Sequence, residues 1–321
     1  MKTAFFYSPR FKDHLGREGH PERPARLDAI TDALQSVGLW DRLDHRTFEA
    51  ASELDLWTCH TRAHIERVKT MSEQGGGDLD GDTHVSPVSF DVARLAVGAS
   101  IEAVRVVMSG EANNAFVACR PCGHHAESGR DPHSPWGFCL FNNVAIAARV
   151  AQRDFGAKRV AIVDFDVHHG NGTQEIFYSD DSVLFVSLHQ DRIFPHSGAT
   201  QDVGEGAGIG TTVNFPLPQK SSGAIYHRVW GQVARAVRNF KPDLIILSAG
   251  FDAHESDPLA NMSLQADDFG ALVWDAKSWA DELCGGKLVA VLEGGYNLEA
   301  LAASVVMSVG VLNGQIEEEL H

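Results

Sequence analysis

The order of apolar and polar residues constrains this fold more than any other feature of the sequence. Six short runs rich in Val, Ile, Leu and Phe alternate with much longer segments. The runs lie at residues 3–7, 115–119, 160–165, 183–188, 244–247 and 288–292. Segments 89–108 and 224–240 space their apolar residues three or four apart, as amphipathic helices do. This alternation predicts an α/β fold, a central, mostly parallel sheet with helices on both faces.

No feature of the sequence divides the chain into parts. Its 321 residues are 44% hydrophobic, enough to bury a substantial core. We find no internal repeat, charged tail or long linker. We therefore predict a single domain over residues 1–321, with the glycine-rich segments 75–77 and 204–210 as loops.

Net charge and hydropathy exclude some classes of partner. The 43 acidic residues outnumber the 27 basic ones and give a formal charge of -16, which disfavours nucleic acid and favours amines or lysine-bearing peptides. No run approaches the roughly 18 apolar residues of a membrane helix. Residues 1–9 are too short an apolar stretch for a secretory signal. We therefore expect a cytoplasmic protein without a nucleic-acid or membrane partner.

Four of the six apolar runs end in polar clusters. The clusters occupy residues 123–126, 164–172, 250–258 and 293–296. In open parallel sheets, ligands bind outside the carboxyl ends of the strands, so side chains that are far apart in the sequence converge there. We therefore predict a functional site built from these four segments.

The 164–172 cluster has the residue types of a metal site. Asp164, Asp166 and His168 occupy every second position, which places them on one side of an extended chain. Carboxylate oxygen and imidazole nitrogen suit zinc and related divalent ions, and Asp252 is a candidate second carboxylate ligand. Such an incomplete ligand set leaves a position for a reactive water. The alternatives are solvated loop acids beside a structural histidine, and a helix-capping role for Asp252.

Two adjacent histidines and a tyrosine are candidates for acid–base chemistry. His124 and His125 can serve different purposes around one carbonyl group, one of them taking a proton from water and passing it to a leaving amine. Asp164 is a candidate partner for one imidazole and Asn171 for the other. Tyr296, which follows two glycines, is a candidate donor to an oxyanion. Each residue alone is more often structural, since adjacent histidines commonly lie in loops and most tyrosines simply pack.

The cysteines do not indicate a disulfide framework. They number five, an odd count in a long chain, at Cys59, Cys119, Cys122, Cys139 and Cys284. Cys119 and Cys122 have the spacing of a C-x-x-C motif, but no second pair completes a four-thiolate zinc site. We expect reduced thiols and interpret the motif as a coincidence, with a redox pair as the alternative.

Six motifs, in order, carry a family resemblance. They are His-Pro-Glu-Arg-Pro-Ala-Arg-Leu at 20–27, Gly-His-His-Ala at 123–126, Trp-Gly-Phe-Cys at 136–139, Asp-Phe-Asp-Val-His-His-Gly-Asn-Gly at 164–172, Gly-Phe-Asp at 250–252 and Glu-Gly-Gly-Tyr at 293–296. With these motifs the chain resembles the zinc-dependent histone deacetylase family. Asn171, with segments 187–190 and 193–195, makes it most similar to bacterial class II-like members and their acetylpolyamine amidohydrolase relatives.

The resemblance implies an arginase/deacetylase-like fold and a role for each candidate residue. The implied ligands of one zinc ion per subunit are Asp166, His168 and Asp252. His125 is implied as the general base and acid, and His124 as an electrostatic partner supported by Asp164. Tyr296 is implied to polarise the amide carbonyl group.

The resemblance also implies a narrow substrate tunnel and a monovalent cation. The implied tunnel residues are Gly137, Phe138, Phe194, Leu259, Gly294 and Gly295. Two aromatic faces suit a methylene chain that ends in an amide. Potassium is implied at Asp164, Ser187 and Leu188 with the backbone of Asp166 and His168, and a second monovalent site at the carbonyl groups of Phe177, Asp180 and Val183. Arg26 matches an arginine beneath the active site.

Two departures from the family pattern leave questions open. Leu259 stands where a specialised polyamine deacetylase carries a glutamate, which weakens the case for a polycation substrate. Cys122 stands where many relatives have proline, which leaves the rigidity of that loop and the reactivity of the thiol open. Tyr296 is intact, whereas some weakly active relatives have histidine, so full deacetylase chemistry is expected.

The sequence leaves the substrate and the assembly open. The substrate can be an acetylated lysine peptide, an acetylated polyamine or another small amide. The assembly can be a homodimer or a tetramer. A manganese pair like that of the arginase group is disfavoured, because Gly170 and His254 occupy positions where a second metal requires acids. An inactive module that binds acyl-lysine or polyamine is disfavoured because every group that performs the chemistry is present.

Overall fold

The structure, a computed structural model that describes residues 3–316, is organised around an eight-stranded sheet. The strands of the large sheet are β1 (Ala4–Phe6), β2 (Asp44–His45), β5 (Asn114–Val117), β6 (Val160–Asp164), β7 (Val183–Gln190), β8 (Thr212–Leu217), β9 (Leu244–Ala249) and β10 (Leu288–Leu292). Two further strands, β3 (Gly77–Asp78) and β4 (His84–Val85), form a separate antiparallel pair. The large sheet follows the order β2-β1-β5-β10-β9-β6-β7-β8, and all its neighbouring strands are parallel. The predicted parallel sheet is confirmed.

Helices flank this sheet in two groups. The α-helices of the described residues are α1 (Ala25–Ser36), α2 (Glu53–Leu56), α3 (Arg62–Glu73), α4 (Ser89–Met108), α5 (Asn143–Phe155), α6 (Asn171–Phe177), α7 (Gly223–Phe240), α8 (Ala266–Cys284) and α9 (Leu298–Leu312). Helices α7, α8, α9 and α1 pack side by side in succession, and α3 to α6 form the other group. Between residues 3 and 316, no helix combines the length and the apolar character needed to cross a membrane.

The predicted helices and strands agree closely with the observed ones. Helix α4 has the predicted bounds, and α7 begins one residue earlier than expected. The central strands β6, β7, β9 and β10 consist entirely of buried residues. Strands that are covered on both faces need continuous apolar runs, which is why the sequence pattern identified them.

The sequence pattern missed the edges of the sheet. Strand β2 is only two residues long, and β8 contains Asn214 and Pro216, which weaken its strand pattern. Proline is tolerated there because β8 pairs on one side only, with β7. The predicted loops also differ in detail, because Gly77 begins β3 and Gly206–Gly208 forms a single 3-10 turn.

The strand order explains why distant segments meet. The four strands that precede the polar clusters are β5, β10, β9 and β6, and they are consecutive neighbours in the sheet. Neighbouring strands lie about 4.8 Å apart, so the four carboxyl ends span only about 15 Å. The polar clusters therefore form one site at this edge of the sheet.

Candidate active site and metal centre

Three side chains from two strand ends form a compact cluster of metal-binding atoms. Ligand atoms of Asp166, His168 and Asp252 all lie within 4.8 Å of one another. His168 Nδ1 is 3.1 Å from Asp166 Oδ1 and 3.0 Å from Asp252 Oδ2. Two ligands on zinc at bonds of about 2.0–2.1 Å stand about 3.3 Å apart in a tetrahedral site, so these separations need little adjustment.

Two glycines give the carboxylates room to approach each other. A Cβ atom at Gly250 would overlap the Asp166 carboxylate, and one at Gly294 would overlap that of Asp252. The Gly294 N–H also donates to Asp166 Oδ2 at 2.8 Å. Space for the carboxylates therefore requires glycine at both positions.

The charge of the cluster fits a divalent cation. Asp166 and Asp252 are both 0% exposed. Burial, and then the charge of Asp166, raise the pKa of Asp252. Burial disfavours a charge on His168, but its hydrogen bonds to the two carboxylates outweigh burial and raise its pKa. A divalent ion would supply the positive charge that these carboxylates need while His168 stays neutral, so the donor set fits zinc.

His124 pairs with Asp164 beside this cluster. Its Nδ1 lies 3.0 Å from Asp164 Oδ2, and both residues are buried. Burial disfavours the charged imidazole, but the carboxylates of Asp166 and Asp164 outweigh it and raise the pKa of His124 well above its usual value. These carboxylates therefore favour the protonated imidazole at His124.

His125 has a different partner and a different charge. Its Nδ1 lies 2.7 Å from Asn171 Oδ1, and Asn171 Nδ2 donates to Glu127 Oε1 at 2.7 Å. Because Glu127 accepts from the amide nitrogen, Asn171 Oδ1 faces His125 and the imidazole proton lies on Nδ1. Burial, followed by the positive charge of His124, lowers the pKa of His125. His125 is therefore a neutral imidazole whose Nε2 can accept a proton.

Tyr296 is fixed through its backbone and its ring. Its N–H donates to Asp257 Oδ2 at 2.7 Å, and its ring meets Phe138 edge to face with centroids 5.9 Å apart. The Arg26 guanidinium carbon lies 5.0 Å from the centroid of the tyrosine ring. Burial raises the pKa of Tyr296 well above its usual value, so the hydroxyl keeps its proton and can donate it in a hydrogen bond.

A buried ion network holds the loop that carries the tyrosine. Arg26 Nε donates to the Gly295 carbonyl oxygen at 2.6 Å, and its Nη2 donates to the Glu293 carbonyl oxygen at 2.5 Å. Glu22 pairs with both Arg26 and the fully buried Arg120. The structure thus places Arg26 behind the predicted site, as expected.

A cavity of about 200 Å³ opens onto these groups. It is lined by Asp82, His125, Gly137, Phe138, His168, Phe194, Leu259 and Tyr296. Gly137 and Phe138 both have a positive φ, and a Cβ atom at Gly137 would overlap the His125 ring. The Phe138 N–H donates to Thr83 Oγ1 at 3.0 Å, which ties this wall to the loop between β3 and β4.

Gly294 and Gly295 lie elsewhere than predicted. Neither is among the cavity-lining residues. Gly294 packs behind the cavity against the two carboxylates, and Gly295 faces Leu301 and Phe251 while its carbonyl group binds Arg26. The prediction that they line the tunnel differs from the structure, because the space beside these glycines is filled by the groups they support.

The residues proposed for monovalent cations are grouped by the sheet register. Asp164 of β6 pairs with Ser187 of β7, and the buried Leu188 follows. Phe177 is the last residue of α6, Val183 is the first residue of β7, and Asp180 lies between these two elements. The structure brings each set into one region, and the cations themselves remain predictions.

The position of Gly170 argues against a two-metal site. A Cβ atom at this position would overlap Asp164 Oδ2, so a longer acidic side chain has no room. His254 uses its Nδ1 to accept a hydrogen bond from the Ser256 N–H. In the described part of the chain, the acid and histidine cluster with metal-site spacing consists of Asp166, His168 and Asp252.

Sequence reasoning missed four acidic residues that shape the site. Asp82 lies in the cavity wall, and the other three accept hydrogen bonds. Glu127 accepts from Asn171, Asp257 accepts from the Tyr296 N–H, and Glu293 accepts from the N–H groups of Gly123 and His124. Glu293 is part of a recognised motif and Glu127 directly follows one, and both positions were an available signal. Asp257 lies in the 250–258 cluster that the sequence assigned to the site, whereas Asp82 had no comparable signal because only the folded chain brings it there.

Comparisons of sequence and structure identify known proteins that this chain resembles. A family profile described as "Histone deacetylase domain" matches residues 20–312. A histone deacetylase-like amidohydrolase of Pseudomonas aeruginosa is 43% identical over 282 residues, covering 87% of this chain and 73% of the relative. Chloroplastic histone deacetylase 14 of Arabidopsis thaliana is 40% identical over 317 residues, covering 93% and 74%. The crystal structure of the HDA15 HD domain matches with a TM-score of 0.90 at 37% identity, covering 97% of this chain and 91% of the other.

Proposed function

Because the chain belongs to the histone deacetylase family, we propose that it is a zinc-dependent amidohydrolase that removes acetyl or other short acyl groups from an alkyl amine. The ε-amine of lysine is the preferred substrate amine. The observation that carries this proposal is the meeting of three metal-binding side chains, a neutral histidine and a protonated tyrosine at one cavity. A cytoplasmic location and an assembly of two or four copies are proposed with it.

Asp166, His168 and Asp252 would hold the zinc ion. When bound, zinc supplies a Lewis acid for the acyl oxygen and lowers the pKa of a water molecule towards neutrality. In each carboxylate, the oxygen that does not contact His168 accepts a hydrogen bond from a backbone N–H group. Asp252 Oδ1 accepts from Val167 at 2.8 Å, and Asp166 Oδ2 accepts from Gly294. These hydrogen bonds orient the ligands.

His125 would move the proton. Its Nδ1–H is committed to Asn171, so Nε2 accepts a proton from the attacking water and later returns it to the leaving amine. The neighbouring His124 cation, paired with Asp164, favours the neutral form of His125 before the reaction. The surroundings of the two adjacent imidazoles thereby shift their pKa values in opposite directions, as in other acid–base sites.

Tyr296 would donate its hydroxyl to the acyl oxygen as negative charge develops there. Phe138 and Phe194 would flank the methylene chain of the substrate, since both line the cavity. Leu259 lines the same cavity and offers no charge for a polyamine. This supports acyl-lysine over acetylated polyamines, while Asp82 gives the cavity one acidic group.

A kinetic panel tests the proposed function. We expect hydrolysis of acetyl-lysine peptides to stop after treatment with a chelator and to return on addition of zinc, with slower turnover of acetylputrescine and acetylspermidine. Longer acyl groups in the same panel measure the acyl preference. Faster turnover of the polyamines would assign the polyamine substrate instead. Tight binding of acetyl-lysine without cleavage by the zinc-loaded protein would indicate a binding module.

The contact between Glu127 and Asn171 predicts a positioning effect. Glu127→Ala should lower kcat on the order of 10-fold with little change in KM, because Asn171 loses the carboxylate that holds its amide towards His125. Glu127→Gln should recover most of the activity, since its amide oxygen can still accept from Asn171. Glu175→Ala is the matched control, because Glu175 binds Ser128 rather than Asn171. An unchanged kcat for Glu127→Ala would contradict this role.

A further inference from the structure

Two cysteine sulfurs meet beside the candidate active site. Cys122 and Cys139 are 17 positions apart in the sequence, and their Sγ atoms are 3.1 Å apart. Both are buried, and with Ala126 they form a small apolar cluster against which Phe138 packs. The contact joins the residue before the Gly-His-His segment to the residue after Phe138.

This pairing differs from the one that sequence spacing suggested. The C-x-x-C motif pairs Cys122 with Cys119, but the Cys119 sulfur contacts Asn143 Nδ2 at 4.0 Å instead. The S–H of Cys139 donates towards the sulfur of Cys122. The thiol that partners Cys122 is therefore Cys139, which approaches from a different loop.

The direct contact of the two sulfurs suits a disulfide bond, and a shared metal ion is the alternative. Glu293 lies close enough to these thiols to make a three-ligand group. Two thiolates on one tetrahedral zinc at bonds of about 2.3 Å stand about 3.8 Å apart, so the sulfurs would have to separate. A disulfide bond of about 2.05 Å requires them to close by about 1 Å. Burial, together with the neighbouring Cys122, also raises the pKa of Cys139, which keeps it a thiol rather than a metal-binding thiolate.

We propose that Cys122 and Cys139 are a site of reversible oxidation, closed to a disulfide by a small peroxide such as hydrogen peroxide. Cys122 sulfur attacks a peroxide oxygen, which yields a sulfenic acid and one water molecule. Cys139 sulfur then attacks Cys122 sulfur and expels a second water molecule. The two thiols lose two hydrogen atoms in total, and the peroxide takes up the two electrons.

Burial selects the oxidant. Cys122 is 2% exposed and Cys139 is 0% exposed, so a disulfide such as oxidised glutathione cannot reach either sulfur in the folded protein. Phe138 lies between the cavity and the cysteine cluster, because it lines the cavity and also packs against the two cysteines. A molecule the size of peroxide can enter where a tripeptide disulfide cannot. Oxidation by peroxide should therefore be much faster than oxidation by glutathione disulfide.

The surrounding packing couples this bond to His125, and this consequence rests on the proposed function. Gly137 touches the His125 ring so closely that a Cβ atom there would overlap it. A Cβ atom at Gly123 would likewise overlap backbone atoms of Asn143 and Phe141. Closing the sulfurs by about 1 Å draws these two tightly packed loops together, and a 1 Å misplacement of a reacting group costs about 10²-fold. We expect an at least 10-fold, reversible loss of deacylation.

Peptide mapping of the zinc-loaded full chain tests the site. After treatment with hydrogen peroxide, denaturation and alkylation, we expect a cross-linked pair of peptides that contain Cys122 and Cys139, lighter by two hydrogens than the separate peptides. Dithiothreitol should release them and restore activity. Cys139→Ala and Cys122→Ala should each abolish the cross-link and the reversible loss, and Cys119→Ser should retain both. Thermal unfolding establishes that each variant is folded.

The outcomes separate this proposal from the proposed function. A cross-link between Cys119 and Cys122, or both Cys122 and Cys139 recovered as free thiols or sulfinic acids, would overturn the site. A cross-link with unchanged activity would overturn its coupling to His125. Untreated protein that hydrolyses no acyl amine would contradict the proposed function alone, because the cross-link is measured by mass and not by activity.

Discussion

His125→Ala is expected to lower kcat for deacylation on the order of 10³-fold while zinc stays bound. The substitution removes the imidazole proposed as the base, whose Nε2 faces the cavity because Nδ1 is held by Asn171. The three proposed zinc ligands are separate side chains, so metal content should not change. Steady-state kinetics with an acetyl-lysine substrate and elemental analysis of the purified variant measure the two quantities.

A histidine outside the site provides the control for this variant. His133 is exposed, and its N–H binds Asp131 in the same loop, so His133→Ala should leave kcat and metal content unchanged. His125→Gln, which leaves a smaller gap beside Asn171, should show the same loss as His125→Ala. Normal kcat in either His125 variant would refute the assignment of the base. Loss of zinc from both would instead indicate that His125 supports the ligands.

Tyr296→Phe is expected to lower kcat on the order of 10²-fold, with a smaller change in KM. The variant keeps the ring that meets Phe138 and Arg26, and it keeps the N–H that binds Asp257. Only the hydroxyl is lost, and burial keeps that hydroxyl protonated in the native protein. The loss should therefore appear in the chemical step and not in folding.

Tyr226 offers a matched comparison. It is fully buried in α7, and its hydroxyl finds no hydrogen-bond partner within the described part of the protein. Tyr226→Phe should leave kcat unchanged and keep or slightly raise the melting temperature, because an unpaired buried hydroxyl is removed. Equal activity of the two phenylalanine variants would remove Tyr296 from the mechanism.

The fold could be predicted where burial dictates residue type. Strands β6, β9 and β10 are covered on both faces, so each needs an unbroken apolar run that is visible in the sequence. Strands β2 and β8 lie at the edges and have no such requirement. Their short or interrupted patterns did not predict strands, because a strand at an edge is stabilised mainly by its single neighbour.

The site could be predicted as a set of residues but not as a set of contacts. Sequence position placed Asp252 in a polar cluster after a strand, and a capping role fitted that position equally well. Its approach to His168 depends on β9 lying next to β6. The pairing of Cys122 with Cys139, in place of Cys119, likewise depends on two loops meeting.

The sequence by itself determined the chemical groups available to this protein and the strand ends that carry them, because apolar runs and polar motifs are local properties of the chain. Tertiary structure alone decided which groups touch. The strand order brought Asp166 and Asp252 together, and Glu127 set the orientation of Asn171. Neighbouring carboxylates favour a charged His124, whereas burial favours a neutral His125. The physical reason is that protonation state and ligand geometry depend on distances of a few ångströms between segments far apart in the sequence, and only the packed sheet fixes those distances.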